Sequence, residues 1–268
     1  MKKIDYNYIV ETIEDVKDII NGKFEINQNS NLKSFYRGQS NADWKLVPKI
    51  ARTNDCSEPI VQNDKDIFSV LAKKQHYGDS TRLLDFTTDV KIALFFACQD
   101  NLECDAKLYV YYYDFITENS NYTKIGCEFS QLSQEIDVDS FSELIYEKYN
   151  IDSDNAKNTI LSILDCGFMI TPTNEFYQKM FGVNDRIIKQ KGCFYIPSNI
   201  SNYAETKRHN YLLSNSYKHV KIQPKCVSQI YHNIVFYPII KIPYELKHQI
   251  IQLLTDYGIT KKSLGFEE

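Results

Sequence analysis

Residues 75–97 read QHYGDSTRLLDFTTDVKIALFFA, and the fold turns on how this run divides. From Ile67 to Lys74 the apolar period is helical, and the pattern stops at His76-Tyr77-Gly78, as a helix does when a glycine follows its last turn. Leu83 and Leu84 then read as buried strand or loop, so the polar Thr81, Arg82 and Asp85 beside them need hydrogen-bond partners. From Asp89 onward DVKIALFFACQ reads as a second helix, with Asp89, Thr87 or Thr88 available to cap it. A helix, a short buried element and another helix in so short a span point to a mixed α+β protein.

On the N-terminal side, LKSFYRG reads as a short strand, and NADWKLVPKI as a turn or extended segment because Pro48 stops a helix from running through it. Ile9, Ile13, Val16, Ile19 and Ile20 predict an opening helix over residues 7–20, with Gly22 as its stop. On the C-terminal side, AKLYVYYYDF alternates like a strand, and DRIIKQKGCFYIPS, YKHVKI and NIVFYPIIKI read as further strands. PYELKHQIIQLLTDYG predicts a final helix with an apolar stripe of Leu246, Ile250, Leu253, Leu254 and Tyr257, Pro243 in its first turn and Gly258 at its end. Residues 118–180 are rich in Ser, Asn and Asp between short helical patterns such as FSELIYEKY, and read as an inserted helical layer. The expectation is one domain over 1–268 with a helical insertion at about 118–180.

A chain of 268 residues with 43% hydrophobic content can bury a full core. The net charge of −4 gives no global basic field, which neither indicates nor excludes nucleic acid. Seven scattered cysteines without a Cys-x-x-Cys pair argue against zinc, and no metal is expected. The charged start MKKIDYNYIVETIEDV lacks a secretory pattern, and no apolar run approaches a membrane span of about 18 residues, so a cytoplasmic protein without membrane contact is expected.

Several polar residues carry chemistry. Arg37 offers a planar five-donor fork suited to a carboxamide, a ribose or a pyrophosphate; an Arg–Asp85 pair pinning two strands explains it equally well. Gly38 permits close backbone approach or a positive φ. His76 has the chemistry of a general base or ribose-hydroxyl partner, and as a cation at a helix C-terminus it would simply stabilise the dipole. Tyr77 offers a ring for stacking or for the core edge. Arg186, Lys189 and Lys191 form a small basic cluster, and TKRHN with YKHVKIQPK another; both suit phosphates, or a solvated face balancing acidic 118–180. No P-loop, Rossmann glycine pattern, G-x-S-x-G or His-Glu-x-x-His is present, and Cys193 in GCFYI reads as a small packing residue.

Taken in order, FYRG (35–38), residues 75–97, DRIIKQKGCFYI (185–196) and KIPYELKHQIIQLLTDYGITKKSLGF resemble the FRG domain family, from about Phe35 to Gly265. Ser80 stands where that family usually has proline, and the segment between Arg52 and Ile67 is short. The motifs in turn resemble the ADP-ribosyltransferase core, which implies a mixed sheet core with flanking helices and NAD⁺ as substrate. On that resemblance Arg37 holds the nicotinamide part, Thr87 and Thr88 form the polar strand end, and Gln190 of KQKG takes the place of a glutamate. Glutamine can hold a ribose hydroxyl but cannot offset an oxocarbenium charge, so Asp85, then Glu175 or Asp185, would supply the carboxylate.

The implied catalytic set is Arg37, His76, Asp85 and Gln190, with Tyr36, Arg37, Gly38, Tyr77, Gly78, Thr87, Thr88 and Gly192 at the cofactor. The implied function is an NAD-dependent ADP-ribosyltransferase-like effector, a toxin or phage-defence component, modifying RNA, DNA or protein and open to an inhibitory partner protein. The alternative is a non-enzymatic nucleotide- or partner-binding module in which the same polar motifs brace the fold.

Overall fold

The structure, a computed structural model, describes residues 1–4, 7–23, 32–52, 58, 61, 66–114, 116–182, 185–197, 220–222 and 238–266. In chain order the elements are β1 (Lys2–Ile4), β2 (Asn7–Ile9), α1 (Ile13–Ile20), β3 (Lys33–Gln39), α2 (Ile67–His76), β4 (Leu84–Thr87), α3 (Val90–Cys98) and β5 (Ala106–Tyr113). There follow α4 (Asn121–Glu128), β6 (Ile136–Asp137), α5 (Val138–Tyr149), α6 (Ser153–Cys166), β7 (Phe168–Ile170), α7 (Asn174–Phe181) and α8 (Arg186–Lys189). The last are β8 (Gly192–Ile196), β9 (Lys221–Ile222), β10 (Ile239–Ile242) and α9 (Lys247–Asp256). The fold is mixed α+β, built on an eight-stranded sheet in the order β1-β2-β10-β5-β3-β4-β8-β7. Among the described residues its strand pairs are antiparallel except for β10 with β2.

The pairing is uneven in a way that makes the site. β3 runs beside β5 in register from Lys33 to Gln39, and β4 beside β8 from Leu84 to Thr87. Between β3 and β4 there is a single registered pair, Tyr36 opposite Thr87. Past that pair the two central strands part, and the sheet is split.

Strand alternation gives each face its own residues. Tyr36 and Gly38, with Leu108 and Val110 of β5, face one helical group, a core shared with α1, α3 and α9. Phe194 and Ile196 of β8 join a second core with α2, α4, α5, α6, α7 and α8. Phe35, Tyr109, Tyr111, Phe86 and Tyr195 form a third cluster on the opposite face. Two helical groups thus sit side by side on one sheet, and their seam follows the β3/β4 split.

Specific residues lock this arrangement. A Cβ on Gly38 would lie 1.8 Å from the Ala93 carbonyl oxygen, so α3 rests directly on β3. Lys247 is fully buried, and its ammonium donates to the carbonyls of Ser40, Asp100 and Asn101 at 2.7, 3.0 and 2.8 Å, tying α9 to the ends of β3 and α3. Arg82 is fully buried beside Leu83, and its guanidinium and backbone N–H both bond the Glu58 carboxylate, with Nε at 2.7 Å. The hydrogen-bond network expected around LLD is present, anchored by a glutamate from the short segment before α2.

Some elements differ from the sequence expectations. The opening helix starts at Ile13, because Thr12 and Asp15 form a capping box there; residues 7–9 pair with β10 as a strand instead. DRIIK forms the short α8, capped by Asp185, and strand pairing begins only at Gly192. Residues 118–180 hold α4–α7 and also supply β7, an edge strand of the main sheet beside β8. Tyr257 is exposed and drops out of the apolar stripe of α9, in which Ile250 and Leu254 are buried and Leu246 and Leu253 pack partly buried against the same core, while Pro243 caps a 3₁₀ turn ahead of that helix. Of YKHVKI and NIVFYPIIKI only β9, paired with β6, and β10 fall among the described residues; TKRHN lies outside them.

Candidate functional site

A cleft of about 400 Å³ opens at the seam, within the size range of small-molecule sites. β3 supplies Tyr36, Arg37, Gly38 and Gln39, β4 supplies Asp85 to Thr87, and α3 supplies Ala93 and Phe96. The opposite wall carries Gln75 and His76 from the end of α2, and Arg186, Ile187 and Gln190 at α8. Trp44 and Arg52, both exposed, and the half-buried Phe266 also line the cleft.

Arg37 spans the split. Its Nη1 donates to the backbone carbonyl of Asp85, while its Nε is buried without a hydrogen-bond partner. Burial disfavours the guanidinium charge and the Asp85 carboxylate offsets part of that cost; an arginine keeps its proton under both influences. The expected Arg37–Asp85 link therefore exists through the main chain, and it leaves donor capacity in the cleft.

Two carboxylates, Asp85 and Asp100, line the cleft, and Asp85 is the one whose backbone carbonyl Arg37 holds. Gln75 Nε2 donates to Oδ2 at 2.7 Å, and the Thr81 hydroxyl donates to Gln75 Oε1 at 2.6 Å, which fixes the amide's orientation. Water reaches Asp85 through the cleft mouth, yet protein encloses it elsewhere. Burial pushes its carboxyl above the usual value, with Arg37, Gln75, His76 and Arg186 pulling the other way. Of the other carboxylates considered, Asp185 caps α8 and contacts His76 Nε2 at 3.2 Å, and Glu175 lies in the first turn of α7; neither lines the cleft.

Two further guanidiniums face the same space. Arg52 holds the Val47 carbonyl through Nε at 2.9 Å, and Arg186 stacks on Phe266 with 5.4 Å to the ring centre while reaching the His76 carbonyl at 3.4 Å. Tyr36, Trp44, Phe96 and Phe266 supply rings. Cys193 also lines the cleft, but burial holds its thiol well above the ordinary value, which disfavours the thiolate.

The structure brings Tyr36, Arg37, Gly38, His76, Asp85, Thr87, Gln190 and Gly192 to the cleft. It places Thr88 outside the lining, Asp89 taking the cap of α3. Tyr77 is 70% exposed, and Gly78, at φ +85°, closes α2 with its carbonyl held by Lys49. Gln190 is partly committed: its backbone carbonyl accepts from the Thr87 hydroxyl at 2.8 Å, and its Nε2 donates to the Leu264 carbonyl at 3.2 Å. Sequence reasoning missed Gln75, although it begins the quoted motif, and missed Arg52, Trp44, Phe96 and Phe266, which reach the cleft only through tertiary packing.

Chemically, the cleft can hold phosphates on its guanidiniums, stack flat rings, and offer one carboxylate of raised proton affinity. An α+β protein with a polar, ring-lined cleft in a split sheet is the class that fold and site define. A family model described as the FRG domain matches residues 56–106, about a fifth of the chain, and that range includes α2, β4 and α3. FYRG and KQKG lie outside the matched range and join it at the cleft. No curated protein matches the chain, and no solved structure does. Among the described residues no cluster of His, Cys, Asp or Glu could hold a metal ion, and no helix is long and apolar enough to cross a membrane.

Proposed function

We propose that the cleft binds NAD⁺ and breaks its nicotinamide–ribose bond, delivering ADP-ribose to a macromolecular acceptor as a toxin or defence effector would. The observation that carries this reading is the Arg37–Asp85 constellation at the sheet split, a guanidinium with unused donors beside a positioned carboxylate. The lining supports such a ligand: Arg37 and Arg186 suit a pyrophosphate, and Tyr36, Phe96 and Phe266 suit its two flat rings. Asp85, ionised, would stabilise positive charge developing on the ribose, while Arg37 orients the substrate. The bond to nicotinamide breaks with its electron pair leaving on the ring, and an acceptor nucleophile closes the new bond as it sheds its proton.

A second reading, a nucleotide-binding module without chemistry, is favoured by the raised proton affinity of Asp85 and by the Leu264 contact that occupies the Gln190 amide. The two part on one assay. Purified protein is incubated with NAD⁺ labelled in its adenosine part and a mixed lysate, and free nicotinamide is measured alongside label on protein and nucleic-acid fractions. Release and label that disappear in Asp85→Asn support the transferase. Saturable binding with neither release nor label leaves the binding module.

A further inference from the structure

Charge is not spread evenly over this molecule. Residues 118–180 contain eleven acidic and four basic side chains, a deficit larger than the net −4 of the whole chain, so the remainder is net basic. Part of that basic remainder gathers at the cleft mouth. Lys45, Lys49 and Arg52 are exposed on the segment after β3, and the Lys49 ammonium on the Gly78 carbonyl ties this segment to the end of α2. Arg186, bonded to the His76 carbonyl, carries the band from α2 to α8. A Cβ on Gly265 would lie 3.2 Å from Arg186 Cα and 3.3 Å from the Lys189 side chain, so the turn bearing Lys261 packs against α8 and extends the band.

Of the carboxylates along this band, Asp79 pairs with Lys74, Asp185 with His76, and Asp89 with both Lys91 and Lys191, while Asp43 beside Trp44 and Asp85 and Asp100 in the cleft are exposed. Two large rings stand out of the surface among the cations: Trp44, the single tryptophan of the chain, is 48% exposed at the mouth, and Tyr77 is 70% exposed between the two rims. Cations interleaved with exposed rings match a chain of phosphates and unpaired bases.

We propose that this band is the docking surface for a single-stranded nucleic acid, whose phosphates meet Lys45, Lys49, Arg52, Lys189 and Lys261 and whose bases stack on Trp44 and Tyr77. The surface stands on charge and ring placement alone. Its further role, presenting the nucleic acid as acceptor to the cleft, rests on the NAD⁺ reading above.

The test needs no NAD⁺, so its outcome is separate from that reading. Fluorescein-labelled single-stranded RNA and DNA oligonucleotides are titrated with the full chain at several salt concentrations, with a duplex and an acidic peptide of equal charge as controls. Single strands should bind, more weakly as salt rises, and in preference to both controls. The double variant Lys189→Glu/Lys261→Glu, its melting profile first shown to match wild type, should bind about tenfold or more weakly, and its log–log salt slope should shrink by about 0.7 for each phosphate left unneutralised. Trp44→Ala should weaken binding with that slope unchanged. Absence of single-strand binding at low salt, equal affinity for duplex or acidic peptide, or indifference to the charge reversals would each overturn the proposal.

Discussion

Asp85 shows how one residue can serve a site at the expense of the fold. Its carboxyl holds its proton more tightly in the folded chain than in the unfolded one, because burial outweighs the help of Arg37 and Gln75. A group shifted upward in this way costs stability as pH climbs from the ordinary carboxylate range through the raised value, since the unfolded chain gives up the proton more readily. Asp85→Asn removes the charge and keeps an acceptor for Gln75. The melting temperature of the variant relative to wild type should therefore improve progressively over that pH window and level off above it. A difference that stays flat with pH would contradict the placement of Asp85 in an enclosed site. Gain of stability with loss of activity is the pattern expected where strain serves function.

At the scale of elements, β3 and α3 are joined by the absence of a side chain. Gly38→Ala would drive a methyl into the Ala93 carbonyl and Ala97 amide, both backbone atoms that cannot swing aside. We expect a cost of at least about 3 kcal/mol, read as a lowered urea midpoint or as failure to fold; a melting curve unchanged from wild type would refute the direct α3–β3 contact. Glu58→Ala should be comparably severe, about 3–5 kcal/mol, because it takes the countercharge from the fully buried Arg82 guanidinium and leaves the neutral Phe129 carbonyl among its partners. Denaturant unfolding measures it, and a loss under about 1 kcal/mol would mean that Arg82 has other adequate partners.

These elements also show how far the sequence could be read. The 75–97 run was legible because α2, β4 and α3 each announce themselves locally, by a glycine stop, an apolar pair and an aspartate cap. The first strands were not: Tyr8 and Ile9 satisfy a helical period and a strand equally, and pairing with β1 and with β10, the latter more than two hundred residues away in sequence, decides between them. Arg37, His76, Asp85 and Gln190 were legible as site candidates from residue chemistry and from family resemblance. Gln75's role was hidden because an amide's value lies in what orients it, here Thr81. Phe266 and Arg52 were hidden because nothing local tells a loop side chain which wall it will face.

For the molecule as a whole, the architecture is two helical groups on one sheet that opens between its central strands. Each group has its own apolar core, and the polar residues that neither core can bury collect at the seam. That places Arg37 at the seam, where its fork bonds the Asp85 carbonyl and, on the proposed reading, presents donors to a ligand. The most direct test of this account is equilibrium dialysis of radiolabelled NAD⁺ against wild type and Arg37→Ala, with the melting temperature of both recorded. The account predicts saturable binding by wild type, and none by a variant that stays folded with a stability loss of about 1–3 kcal/mol for one charged hydrogen bond. Absence of saturable binding by the folded wild type, or equal binding by the variant, would contradict it.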